Sequence, residues 1–419
     1  MKSESKPAPK VELKQTKKKK TKWMKKRHKV VTEILRVALG PYCRWKYGIT
    51  VEEFKEQGDR PYLIIMNHQT GFDQFFVGLC FNRPVYYIAT EDIFSMGWVS
   101  KLISWLVAPI PIKKQMTDLQ AVMTCARVAK EGGTIALAPE GNRTYSGKTL
   151  YMNPAIAKLV RTIKLPLAIF RIEGGYGIQP RWSDVVRRGK MRAYVSKVIE
   201  VEDYKKLSDE ELFQMIQKEL DVNEAVADAS FHHSKSAEYL ERAVYVCPHC
   251  GFSVFESHND TITCQTCYQK IKYLPTKELK GVGSKFPFRF VADWMDYQND
   301  FVNKTNTLQY IETPIYQDRA DLSEVILYKN KQLIQENAKI SLYGDRVFVE
   351  GENGFQLNIP FDKASVVTVL GKNKLNIYFD NKVYQFKGDE RFNALKYVNI
   401  FYRTKNIRGG NENEQFLGL

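Results

Sequence analysis

No stretch of the 419-residue chain reaches the ~18 uninterrupted apolar residues that a membrane-crossing helix needs. The nearest approach, Leu102–Ile112, is 11 residues long, holds two prolines and follows Lys101. No apolar core follows the basic start, so a secretory signal is not expected and neither is export. Cysteine is scarce. Of seven, four form two Cys-x-x-Cys pairs and three are scattered, which suits a reducing compartment with a metal site better than a disulfide framework. Acidic residues are outnumbered, 47 against 63 basic, for a net charge of +16. Ten of the Lys and Arg residues lie between Lys14 and Lys29, so the excess is concentrated in one segment. A hydrophobic content of 44% excludes a wholly disordered chain, and the length implies two to four domains.

The chain divides by composition. Residues 1–22 are rich in Lys, Pro and Ser and read as a disordered basic tail. Over residues 23–47, Val30, Val31, Ile34, Leu35, Val37 and Ala38 alternate with basic residues at helical spacing, predicting a basic amphipathic helix interrupted by Gly40-Pro41. With Trp23 and Trp45 at its ends, such a helix suits an anionic membrane surface; packing on its own domain or binding nucleic acid are the alternatives. Residues 48–242 hold apolar runs at 62–66, 85–89, 134–138, 165–169 and 191–195, read as strands. Helical patterns lie at 72–81, 97–106, 117–131 and 153–162. This alternation predicts an α/β domain with a largely parallel sheet, ending in a polar helical connector at 207–242. A cysteine-bearing segment (243–275), a linker with a helix at 285–305 (276–319), a β module (320–405) and a tail (406–419) follow. The β module's short strands, separated by turns such as Tyr343-Gly-Asp and closed by a helix from Asp389, predict a small barrel or sandwich.

The stretch from Leu63 to Asp73 carries the first chemical signal. A buried-looking strand ends at His68, and Asp73 follows five positions on. In a continuous helix such positions diverge by about 140°, so the two side chains meet only if the chain turns between them. Gly71 permits that turn, and Thr70 with Asp73 fits a capping box opening a helix. A strand-end His oriented by Asp73 is a candidate general base for a hydroxyl; a structural His beside a helix cap is the alternative.

A second apparent strand ends in Pro139-Glu140-Gly141-Asn142-Arg143. Ligands bind at the carboxyl ends of parallel strands, so this turn and His68 are expected to converge. Arg143 offers a planar donor fork suited to phosphate; Lys113 and Lys114 could add positive charge. Glu140 either fixes the turn or touches substrate.

Asn67-His68-x4-Asp73 followed by Pro139-Glu140-Gly141-x-Arg143 resembles the glycerolipid acyltransferase family that includes 1-acylglycerol-3-phosphate acyltransferase. The Pro109–Lys113 run resembles the family's second block, although the family usually has Arg where Lys113 or Lys114 stands. The Leu165–Ile169 run resembles the fourth. The resemblance spans about residues 30–220. It implies transfer of a fatty acyl group from acyl-CoA or acyl carrier protein to a lysophospholipid hydroxyl, 1-acylglycerol-3-phosphate first among the acceptors. His68 would then be the general base and Asp73 its orienting partner. Glu140, Gly141, Arg143 and Lys113 would bind the acceptor. Asn142 and Thr144 stand where the family has a small hydroxyl residue and Ser, which bears on acceptor choice.

Cys247-Pro-His-Cys250, 13 residues, then Cys264-Gln-Thr-Cys267 resembles a zinc ribbon. Four thiolates match a closed structural Zn2+ site, whose metal would supply much of the folding energy of so small a segment. His249 and His258 are substitute ligands that four cysteines make unnecessary. The β module resembles a pleckstrin-homology-like (PH-like) or GRAM-like fold in outline. The expected whole is a cytoplasmic acyltransferase held peripherally at a membrane. Its rival is a degenerate acyltransferase scaffold binding nucleic acid, lipid or protein through the basic arm and zinc ribbon, a role that needs none of the five motif residues.

Overall fold

The structure, a computed structural model, describes residues 22–112, 118–326 and 329–418. Its first half comprises α1 (Lys26–Tyr47), β1 (Ile49–Val51), β2 (Leu63–Met66), α2 (Asp73–Cys80), β3 (Val85–Thr90), α3 (Trp98–Val107) and β4 (Ile110–Ile112). Then come α4 (Leu119–Lys130), β5 (Thr134–Leu137), α5 (Ala155–Ile163), β6 (Leu167–Glu173), α6 (Gly175–Ile178), β7 (Met191–Ile199), α7 (Val201–Tyr204) and α8 (Asp209–Leu220). The strands form one sheet in the order β1-β7-β6-β2-β5-β3-β4. Only the β6–β7 pair is antiparallel.

Successive side chains of a strand point to opposite faces, and β2 shows the result. Leu63 and Ile65 enter a core with Ile135, Leu167, Val160 and Ile216. Ile64 and Met66 enter another with Cys43, Phe76, Val77 and Phe170. Helices α4, α5 and α8 cover the first face; α1 and α2 cover the second. A strand buried on both sides needs an unbroken apolar run, which is why Leu-Ile-Ile-Met carries no alternation. Because β2 and β5 run parallel with Ile65 opposite Leu137, His68 and Glu140 each lie three positions past that pairing, at the same edge of the sheet.

The second half begins with a hairpin, β8 (Val246–Cys247) and β9 (Gly251–Phe252), and a four-stranded sheet, β10 (Phe255–His258), β11 (Thr261–Cys264), β12 (Lys270–Tyr273) and β13 (Leu279–Val282). Helix α9 (Val291–Lys304) follows, then β14 (Tyr316–Glu324), β15 (Gln332–Leu342), β16 (Arg346–Glu350), β17 (Gln356–Pro360), β18 (Val366–Leu370), β19 (Lys374–Phe379), β20 (Lys382–Gly388) and α10 (Leu395–Arg408). These last seven strands make an antiparallel sheet in the order β17-β16-β15-β14-β20-β19-β18, against which α10 packs. One core runs through this half and reaches back into the first: Tyr145 and Trp182 share it with Tyr245, Trp294, Val349 and Phe401. Trp294 donates its indole N–H to the Val246 carbonyl at 2.8 Å, and the Gln298 amide oxygen accepts from Tyr245 N at 2.7 Å, so α9 is seated on the cysteine-bearing segment.

Several expectations change. Gly40-Pro41 does not interrupt α1, which runs through Pro41 to Tyr47. Proline deletes the donor to the carbonyl of Val37, but Val37 is 77% exposed, so water can satisfy that carbonyl. Trp23 is not free for an interface: its indole N–H donates to Ala108 O at 3.0 Å. Trp45 does face outward, 81% exposed. The connector is helical only over Asp209–Leu220 and a short turn at Leu240–Arg242. Between them the chain is used as a tie. The buried Glu224 carboxylate accepts from the backbone N–H groups of Gly174, Tyr176 and Gly177 at 2.6, 3.0 and 3.3 Å. Phe231 fills space beside Gly177 and Gly189 that any side chain there would occupy. The helix expected at 285–305 begins at Val291, because residues 284–290 lie against β13. The first β-module strand starts at Tyr316 and the closing helix at Leu395. Residues 1–21, with most of the basic tail, lie outside the described residues.

Candidate active site and cysteine cluster

The turn after β2 brings His68 and Asp73 together. His68 Nδ1 lies 2.7 Å from Asp73 Oδ2, and that oxygen also accepts from Gln69 N at 2.7 Å. Asp73 Oδ1 accepts from Thr70 N at 2.9 Å and Thr70 Oγ1 at 2.7 Å. Asp73 is fully buried; the His68 side chain keeps 26% of its surface open. Every group facing this carboxylate donates, so Nδ1 is assigned the proton, and a neutral ring then keeps its Nε2 lone pair for a ligand. The expected capping box is only half formed. The first helical residue is Asp73 itself, and Phe72 is the cap without a side-chain bond. Thr70 Oγ1 instead accepts from Phe72 N at 3.0 Å, closing the loop.

Asn67, to which no role was assigned from sequence, continues the sheet with its side chain. Its amide donates to Ile172 O and accepts from Ile172 N, both at 2.8 Å. It thereby ties the end of β2 to β6 one residue past their last backbone pairing. Gln69 is buried beside it with its Oε1 lacking a partner among the described residues.

Residues 138–141 form a β-turn closed by Gly141 N to Ala138 O at 3.0 Å. Proline at the second position presets its φ, and Gly141 takes the left-handed φ of +65° that a side chain would resist. Glu140 points inward. Its Oε1 accepts from His68 N at 3.0 Å and its Oε2 from Leu150 N at 2.9 Å, so both oxygens hold backbone. Burial outweighs these bonds and pushes its pKa up to about 7. Burial does the same to Glu224. Thr144 Oγ1 accepts from Ser146 N and Gly147 N at 3.1 and 2.9 Å, shaping the next turn.

Arg143 is different. Its Nη1 is buried and has no partner among the described residues. Burial, then the neighbouring Arg181 charge, pushes its pKa down to about 10, against the opposing pull of Asp73. The guanidinium therefore lies within electrostatic reach of the His68–Asp73 pair. An unmet buried donor on a cation is costly, and an anion would relieve it. Lys113 and Lys114 lie outside the described residues.

The four cysteines converge elsewhere. Cys247 and Cys250 flank the β8–β9 turn, and Cys264 and Cys267 flank the turn after β11. All four sulfurs lie within 4.8 Å of one another, and Cys247 Sγ is 3.7 Å from Cys267 Sγ. Tetrahedral zinc with bonds of ~2.3 Å places its sulfurs about 3.8 Å apart, so the donor set fits that ion. Each knuckle ends in a left-handed residue, Gly251 (φ +72°) and Tyr268 (φ +60°).

The fold and this site thus define an α/β domain with a strand-end His–Asp pair and the half-buried Arg143 within electrostatic reach of it. Residues 48–173 match the model of the Acyltransferase family. Among solved structures, the crystal structure of the 1-acyl-sn-glycerophosphate (LPA) acyltransferase PlsC from Thermotoga maritima is similar over 47% of this chain and 80% of that one, at 23% identity and a TM-score of 0.40. No curated protein matches.

The raised Glu140 pKa has a thermodynamic sign. A carboxyl whose pKa rises from 4.5 to about 7 on folding takes up a proton when the chain folds, so its contribution favours the fold at low pH and is lost as pH climbs through that range. Wild-type stability measured against Glu140→Gln by urea unfolding should therefore fall on the order of 2–3 kcal/mol between pH 4.5 and 7.5. A pH-independent difference would contradict the assignment.

Proposed function

We propose that the protein transfers a fatty acyl group from a thioester, acyl-CoA or acyl carrier protein, to the free hydroxyl of a lysophospholipid. His68 is the general base. Its Nε2 takes the hydroxyl proton as the acceptor oxygen attacks the thioester carbonyl, and the same proton then serves the departing thiolate. Asp73 orients the ring through Nδ1 and stabilises the imidazolium. Glu140 positions His68 by holding its backbone N–H. Arg143 binds the acceptor's phosphate, with Gly141 setting the turn and Lys113 a further candidate cation. The observation that carries this reading is the 2.7 Å His68–Asp73 contact at the strand edge, within electrostatic reach of Arg143, whose buried Nη1 has no partner among the described residues. The Acyltransferase family match over residues 48–173 supports the reaction class. A pure binding scaffold would have no use for a saturated carboxylate behind an open imidazole.

The site would work at a membrane surface. No helix among the described residues is long and apolar enough to cross a membrane. Val30, Ile34, Val37 and Trp45 nevertheless face outward along α1. Trp98, Leu102 and Trp105 do the same along α3, which packs beside α1, with the Arg27 guanidinium 4.9 Å above the Trp105 ring. An apolar stripe set among basic residues suits an anionic bilayer. Cys247, Cys250, Cys264 and Cys267 would hold a structural Zn2+ with no open position for chemistry. The strand order and closing helix of the C-terminal sheet support a PH-like reading of that module.

Three measurements test this. His68→Ala should lose about 10²–10⁴-fold in transfer from acyl-CoA to 1-acylglycerol-3-phosphate, with its circular dichroism unchanged; wild-type turnover in that variant would refute the mechanism. Wild-type protein should co-sediment with anionic vesicles in a salt-sensitive way, and Val37→Glu with Trp98→Glu should abolish this; binding unaffected by the double substitution would move the docking face elsewhere. Elemental analysis should give one zinc per chain, and Cys264→Ser should lose both the metal and several degrees of melting temperature. Equal stability with and without metal would remove the zinc assignment.

A further inference from the structure

The acyltransferase half is not closed by its own residues. A turn of the C-terminal sheet, residues 371–373 between β18 and β19, is bonded onto the segment that carries Arg143. Arg181, 1% exposed, provides the bond. Its Nε donates to Gly371 O at 2.9 Å, its Nη2 to Val369 O at 3.2 Å and its Nη1 to Arg143 O at 3.1 Å. One rigid donor fork thus joins the two halves. Tyr145 reinforces it: the Arg181 guanidinium sits 4.4 Å above its ring, and its hydroxyl donates to Lys372 O at 3.1 Å.

This docking brings charge as well as backbone. Lys372 Nζ reaches Asp184 Oδ1 at 2.5 Å, and Arg242 Nη2 takes Asp184 Oδ2 at 2.8 Å. Asp184 thus joins Arg242 to Lys372, and Arg143 lies close enough to Lys372 for their charges to interact. Asp73, the acid within electrostatic reach of Arg143, is already met by four donors. Burial lowers the Lys372 pKa, the bond to Asp184 opposes this, and the Arg143 and Arg242 charges add to the lowering, so the two modules' cations share one field. Lys372 also lines an open cleft of about 470 Å³ with Met96, Lys331, Gly371 and Lys374, and no described residue lining that cleft is acidic. A surplus of cations around an unmet Arg143 Nη1 calls for a multiply charged anion.

We propose that the acceptor's phosphomonoester is bound jointly by Arg143 of the first half and Lys372 of the β18–β19 turn, which makes the C-terminal sheet a wall of the acceptor site and Lys372 a specificity-determining residue. The proposal rests on the acyltransferase reading above. It is tested in the full-length, metal-loaded protein by steady-state kinetics with 1-acylglycerol-3-phosphate and acyl-CoA. Lys372→Gln should raise the KM for the acceptor about tenfold, the loss of one charge-assisted hydrogen bond, with kcat within about twofold and the acyl-CoA KM unchanged. Asp184→Asn, which disturbs the same docking contact but frees the ammonium, should leave the acceptor KM unchanged or lower it. An unchanged acceptor KM in Lys372→Gln overturns the proposal. So does a rise confined to acyl-CoA, which would assign the lysine to the donor's phosphates, and so does an equal rise in both variants, which would make the contact structural. Wild-type protein inactive on every lysolipid would instead defeat the acyltransferase reading itself.

Discussion

A carboxylate with no exposed surface must have its lone pairs met from within, or the cost of removing it from water goes uncompensated. Asp73 meets this demand with four donors drawn from three consecutive residues, and much of the candidate site follows. Accepting from Gln69 N and Thr70 N forces the chain to curl back immediately after His68. Accepting from Thr70 Oγ1 fixes that side chain, which then closes the loop on Phe72. The remaining direction is taken by the imidazole, whose orientation is thereby set by backbone rather than by substrate. Standing in the first turn of α2, the same carboxylate also faces the positive end of the helix dipole. Glu140 repeats the device from the neighbouring strand end, binding the backbone at His68 and Leu150. Two buried acids thus hold His68 in one orientation on a loop, where a loop alone would leave the imidazole mobile.

What the sequence made legible is what local chemistry determines. The runs at 62–66 and 134–138 are apolar without alternation because both faces are covered, and they lie within a residue of β2 and β5. The five-residue spacing of His68 and Asp73 implied a turn, and the turn is there. The paired cysteines announced a four-sulfur cluster through spacing alone. What stayed hidden depends on partners far along the chain. Nothing near Arg181 indicates that its donors go to carbonyls 190 and 188 residues away. Lys372 sits in an ordinary polar turn between strands. Glu224 reads as one more acid in a polar connector, although its oxygens organise the backbone after β6. Asn67 was visible within its motif, but its use as a side-chain extension of the sheet depends on Ile172.

Helix α1 shows how a correct pattern can leave the inner face undecided. Its periodicity indicated an amphipathic helix, yet the helix has two apolar faces. Leu39, Cys43 and Tyr47 pack toward the sheet, while Val30, Ile34 and Val37 point away. Hydrophobic spacing registers both together. The proline that would end an isolated helix falls on the outward side, where a lost backbone bond leaves a carbonyl open to water. The inward residues supply the packing that holds the helix continuous.

The bond between Arg181 and Gly371 also places a clock on biosynthesis. A ribosome adding about 5–20 residues per second needs roughly 10–40 s to travel the 190 positions separating them. During that interval the half bearing His68 can assemble its sheet, since every strand from β1 to β7 has been made. Its buried Arg181 already has the Arg143 carbonyl, but those of Val369 and Gly371 are untranslated, and the Tyr145 hydroxyl still awaits Lys372 O. The arrival of one β-turn then supplies the missing acceptors and joins the two halves. Assembly and completeness are thereby made the same event.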